Sequence, residues 1–188
     1  MIPYQKEKIN NAICFFAQEH KKKSGKYLTQ TYLYKYLAFL DFYSIEKTGM
    51  PTFGLKYRAM GRGPVPISIY NKRKNLKTDF YEFRKQDDNL YIIYPKNKPN
   101  LDYFSAFELE QMNKLISKYA RKYGSTDEIS DASHKEILAW KRTYAKKKNE
   151  IIDYKLTFEG NIEKKQVKEL THAEERFLTY LGLKRMMG

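Results

Sequence analysis

Apolar residues recur at helical spacing from the start of the chain. Ile9, Ala12, Ile13, Phe16 and Ala17 share one face over residues 5–19, while Lys6, Lys8, Asn10 and Asn11 fall elsewhere, so an amphipathic helix is predicted there. Lys21, Lys22, Lys23, Ser24 and Gly25 are expected to end it. The next segment, 29–43, is apolar almost all round, with Leu33, Tyr36, Leu37, Phe39, Leu40 and Phe42. A helix without a polar face belongs at the centre of a fold. Four glycines (Gly49, Gly54, Gly61, Gly63) and three prolines (Pro51, Pro64, Pro66) then break the pattern. That density predicts an ordered loop over 48–66, followed by a short helix over 67–74.

Aromatic and β-branched runs at 79–84 and 90–94, separated by Lys85, Gln86, Asp87, Asp88 and Asn89, predict a β-hairpin. Beyond it, Ser-x-x-Glu occurs at Ser105/Glu108, Ser125/Glu128 and Ser133/Glu136. In a capping box the serine accepts from an amide of the first turn and the glutamate reaches back, so helix starts are predicted near 106, 126 and 134. The first of these helices should bury Leu109, Met112, Leu115, Ile116 and Tyr119, and the third Ile137, Trp140 and Tyr144. After Tyr154 the chain is charged and poor in apolar residues until Thr171 and Glu174 form a fourth box before Phe177, Leu178, Leu181 and Leu183. The expected architecture is mainly α (α+β): a compact helical domain over 1–154 with one small β-hairpin, then a charged linker and short C-terminal helix over 155–188.

Composition narrows the partners more than the fold. The chain has 188 residues, 17 Tyr and 11 Phe, with 36 Lys and Arg against 22 Asp and Glu for a net charge of +14. That charge admits a polyanion, an acidic protein or an anionic surface, although the lysines lie in scattered clusters that solvated helix ends also explain. A single cysteine, Cys14, forms no internal disulfide, and the first residues lack the apolar run of a signal peptide. A reducing cytosol without a membrane span is expected.

Candidate chemistry is sparse. His20, His134 and His172 are far apart in sequence and have no companion cysteines, so neither a structural metal nor a cofactor is expected. Ser130, Asp131, Ser133 and His134 contain the residue types of a catalytic triad, but sequence neighbours rarely adopt its geometry. Gly61-Arg62-Gly63-Pro64 lacks the Lys and hydroxyl residue of a phosphate loop. No enzymatic activity is expected.

Read in order, Lys35-Tyr36-Leu37-Ala38-Phe39-Leu40-Asp41, Tyr57-Arg58-Ala59, Gly63-Pro64-Val65-Pro66-Ile67-Ser68-Ile69-Tyr70, Tyr123-Gly124, Ser133-His134, Trp140 and Ile151-Ile152-Asp153-Tyr154 resemble the Panacea domain family of SocA-like and GepA-like antitoxins. The resemblance spans roughly 5–154. It implies a mostly helical domain that neutralises a cognate protein toxin by direct binding, with SocA-like members also associated with delivery of a toxin to a protease. Tyr57, Gly63, Pro64, Val65, Pro66, Tyr70 and His134 are the candidate protein-binding residues. Each also has a purely structural reading: Gly63 and Pro64 as a backbone turn, Tyr57 and Trp140 as core aromatics, His134 as a local hydrogen-bonding group. A nucleic-acid-binding regulator is the alternative function, motivated by the net charge and by the Tyr/Lys interleaving at 27–35 and 81–98.

Overall fold

The computed structural model describes residues 2–186. Helix α1 (Gln5–Ser24) leads through β1 (Leu28–Thr29) into α2 (Gln30–Thr48). There follow β2 (Tyr57–Met60), β3 (Gly63–Pro66), α3 (Ile67–Lys72), β4 (Tyr81–Asp87), β5 (Leu90–Pro95), α4 (Ala106–Tyr119), α5 (Thr126–Glu136), α6 (Leu138–Lys146) and α7 (His172–Met186). The lysines expected to stop α1 instead form its last turn, where cations suit the helix dipole, and the chain turns at Gly25.

Helix α2 is the axis of the fold. Leu33, Tyr36, Leu37, Leu40 and Ile45 are fully enclosed, and α1, α4, α5, α7 and strands of both sheets pack around it. Burying each such side chain contributes roughly 1.5–3 kcal/mol. Gly49 ends the helix with φ 74°, and a Cβ there would meet Arg176 Cβ at 2.7 Å as well as the backbone oxygen of Ala173. The bare glycine is what lets α7 lie against α2.

The capping boxes differ in outcome. At α4, Ser105 Oγ accepts from the Glu108 amide at 3.3 Å and Glu108 Oε2 accepts from the Ser105 amide at 2.8 Å. The same carboxylate group accepts from Lys8 Nζ at 2.6 Å, tying α4 to α1. Thr171 and Glu174 make the equivalent pair at α7. Ser125 caps α5, but Glu128 turns to Arg121 instead of reaching back. The expected start near 134 is wrong: α5 runs through it to Glu136, and Ser133 is a buried mid-helix residue whose hydroxyl donates to Ser130 O at 2.7 Å.

The expected hairpin is present, with β5 paired to both β4 and the short β1. The expectation of only one hairpin is corrected by the antiparallel pair β2–β3, which lies in the predicted loop. Pro64 and Pro66 stand opposite Ala59 and Tyr57. Ala59 and Tyr57 direct their backbone groups away from β3, toward residues 149–152. At those register positions no proline N–H is required. The stretch after Tyr154, read as linker, is not featureless: three 3₁₀ turns lie between Tyr154 and Glu169, and Phe158 and Ile162 join Ile2, Ile45, Phe177 and Tyr180 in a second apolar cluster. No described helix is long and apolar enough to cross a membrane.

Candidate functional site at the second hairpin

Both ends of the β2–β3 hairpin are fastened to α2 by buried ionisable side chains. At the base, Asp41 Oδ1 accepts from the amides of Phe53 (2.6 Å) and Gly54 (3.2 Å). Its Oδ2 accepts from the Leu55 amide (3.2 Å) and lies 3.0 Å from the hydroxyls of Tyr57 and Tyr154. Burial pushes the carboxyl up from 3.8 to about 6, with the hydrogen bonds opposing. Tyr154 also contacts Leu55 O at 2.6 Å. Its single hydroxyl proton serves one of these two oxygens at a time, so a protonated Asp41 can donate to Tyr154 while Tyr154 donates to Leu55.

At the tip, Lys35 is 1% exposed. Among the described residues, its one hydrogen-bond acceptor is Pro64 O at 3.3 Å. Burial, then the charge of Arg62, push its amine from 10.5 down to about 7. Gly63 is wedged beside it with φ 100°; a Cβ there would lie 2.9 Å from Lys35 Nζ and collide with Ser133 Oγ. Below the turn, His134 stacks on Trp140 (4.1 Å, 9°) and Trp140 on Tyr144 (4.8 Å, 16°). Trp140 Nε1 donates to Met60 O at 3.1 Å. Burial and the Lys35 charge push His134 below its ordinary value, with Asp131 opposing.

The seven predicted binding residues are thus brought to one region, in different roles. Tyr57, Gly63, Pro64, Val65 and Pro66 are buried. Tyr57 belongs to the Asp41 network, and the others press the hairpin onto α2 and α5. His134 is half-buried under the turn. Tyr70 is half-buried and reaches the surface, held by Arg73, whose guanidinium lies 3.7 Å from its ring. With Arg58, Met60, Val65, Ile67, Asn71 and Asn149, Tyr70 lines an open pocket of about 520 Å³. Arg58 and Asn149 escaped sequence reading because the pocket joins segments far apart in the chain. The alternation of buried Tyr57 and Ala59 with exposed Arg58 was the available signal. The triad residue types do not converge: Ser133 serves Ser130 O and His134 serves as a stacking partner. Among the described residues, no three His, Cys, Asp or Glu side chains gather as metal ligands would.

A mainly helical α+β domain with its hairpin seated on a central helix is the class defined so far. The chain belongs to the family described as Antitoxin SocA-like, Panacea domain, whose model matches residues 33–141. The match opens within α2 and closes just past Trp140, so it encloses Lys35, Asp41, both hairpins and the stacked His134–Trp140 pair, with Tyr144 beyond its end. Membership carries an antitoxin-type role, with a toxin as the general class of partner. No curated protein and no solved structure matches the chain.

Proposed function

We propose that the protein is an antitoxin that neutralises a cognate protein toxin by direct binding, without catalysis, using the surface around the second hairpin. The observation that carries this reading is the pocket beside Tyr70: an apolar floor of Met60, Val65 and Ile67, edged by exposed Arg58, on a hairpin held at both ends. A pre-ordered surface loses little entropy on binding, and half-buried aromatic and arginine side chains at the centre of an interface supply much of its affinity. Of the buried hallmarks, Tyr57, Gly63, Pro64 and Pro66 serve this role by holding the surface, while Val65 also lines the pocket itself.

The test is co-expression with the product of the adjacent gene, followed by calorimetry on the purified pair. Growth arrest by that product should be relieved and a complex recovered. Tyr70→Ala should weaken binding by more than about 1 kcal/mol while thermal unfolding shows the domain intact. Failure of the wild-type chain to relieve toxicity or bind the product overturns the reading. Loss of binding with Tyr43→Ala but not Tyr70→Ala would move the interface to the groove between α2, the end of α5 and α6, where Phe39, Tyr43 and Leu138 line a separate pocket.

A further inference from the structure

The first sheet leaves one face open. Register places Arg84 opposite Ile92 and Glu82 opposite Tyr94, so these four share the side away from the buried Tyr81, Phe83, Tyr91 and Ile93. Tyr27, just before β1, packs on Tyr94 with ring centroids 5.4 Å apart and planes at 33°. The Arg84 guanidinium lies 3.7 Å from the Tyr94 ring. Lys21 Nζ lies 4.1 Å from the Tyr27 ring and donates to its hydroxyl at 2.9 Å. Residues distant in sequence therefore meet as one stack, Lys21–Tyr27–Tyr94–Arg84, in which two packed rings carry a cation at each end.

The electrostatics of this face are one-sided. Glu82, already paired with Arg84, is held below the usual carboxylate range by that hydrogen bond first, then by the charges of Arg84, Lys77 and Lys96. The Tyr27 phenol is held below its ordinary value, chiefly by its hydrogen bond from Lys21, with Arg84 contributing. Each group is held down first by the cation it hydrogen-bonds, and the neighbouring cations add to that. Nearby, Lys22 and Lys85 have carboxylate partners in Glu19 and Asp88, whereas Lys96, among the described residues, reaches only the backbone oxygen of Thr78.

We propose that this face binds single-stranded nucleic acid, with phosphates taken by Lys21, Lys77, Arg84 and Lys96 and a base seated on the Tyr94 ring in place of the Arg84 guanidinium. An exposed cation–π contact is weaker than a base–aromatic stack, so the exchange releases the Arg84 guanidinium from the ring; its Nε stays on Glu82 and its remaining N–H groups can take a phosphate. Stacking on a ring needs an unpaired base, which selects single strands over duplex. An acidic protein segment would satisfy the cations and leave the rings unused. The face lies on β4, β5 and the end of α1, apart from the Tyr70 pocket, and the inference does not depend on the antitoxin reading.

The test uses the full chain and a fluorescein-labelled oligothymidylate of about 16 nucleotides, read by fluorescence anisotropy. Binding should weaken roughly fifty-fold between about 50 and 200 mM salt for about four phosphate contacts. Tyr94→Ala should weaken it roughly tenfold, and so should Lys96→Glu, a surface change that leaves the sheet packing untouched. Tyr70→Ala should leave it unchanged, and a duplex of equal length should bind less well. Any of three results overturns the proposal: no binding at low salt, equal binding of duplex and single strand with no effect of Tyr94→Ala, or full competition by polyglutamate with Tyr94→Ala again silent. The last would assign the face to an acidic protein.

Discussion

Asp41 and Lys35 sit on the same helix less than two turns apart, and both are enclosed. Asp41 is surrounded by three amides and two hydroxyls; Lys35 has one carbonyl at 3.3 Å. Equal burial with unequal supply gives the two ends of the hairpin different mechanics. At the base, the backbone of residues 53–55 has its donors satisfied by a side chain, and removing that side chain orphans all of them. At the tip, position is set by close packing against a glycine, and the buried amine costs stability instead of adding it.

The sharpest way to break this contrast is Asp41→Ala. Stranding the amides and the two tyrosine hydroxyls should cost about 3–5 kcal/mol, read as a shift in the urea midpoint. A loss below about 1 kcal/mol would show that the network is not a fastening. Next in size is Gly63→Ala, expected to cost about 2–3 kcal/mol from positive φ and overpacking together. Adding Ser133→Ala should recover part of that loss, because it removes the oxygen in the way. No recovery would place the whole cost in the backbone.

The smallest effect has the opposite sign. Lys35→Met should be neutral or stabilise by on the order of 1 kcal/mol near neutral pH. A depressed amine contributes fully above its unfolded value, 10.5, and loses that contribution as pH falls through about 7. Wild-type stability should therefore rise with pH across that window, and the rise should vanish in Lys35→Met. Asp41 runs the other way: its raised carboxyl favours the fold fully below 3.8, and that gain is lost as pH rises through about 6. Denaturation midpoints measured from pH 4 to 10 check both slopes.

Where structure is decided locally, the sequence was readable. The all-round apolar run of α2 needs no partner to be recognised, and Ser105 and Glu108 complete their box within one turn. Where tertiary contacts decide, it was not. Ser133 and Glu136 repeat the same letters, but the helix begun at Thr126 simply continues through them and Gly63 packs on Ser133 from outside. Pro64 and Pro66 read as breakers because their acceptable register appears only once residues 149–152 occupy the far side of β2. For the candidate site, the segments quoted as motifs gather around the second hairpin. Burial sorts the residues there: Tyr57 and Gly63–Pro66 are enclosed, whereas Arg58, the half-buried Tyr70 and Asn149 reach solvent, the last from a segment remote in sequence.

Tyr154 closes the Asp41 network across a sequence separation of 113 residues. During synthesis the ribosome adds about 5–20 residues per second, so α2 emerges many seconds before that hydroxyl exists. Until then Asp41 can hold the amides of residues 53–55 and the Tyr57 hydroxyl, but the network lacks its last member. Completion of the hairpin base is thereby tied to arrival of the chain's last third.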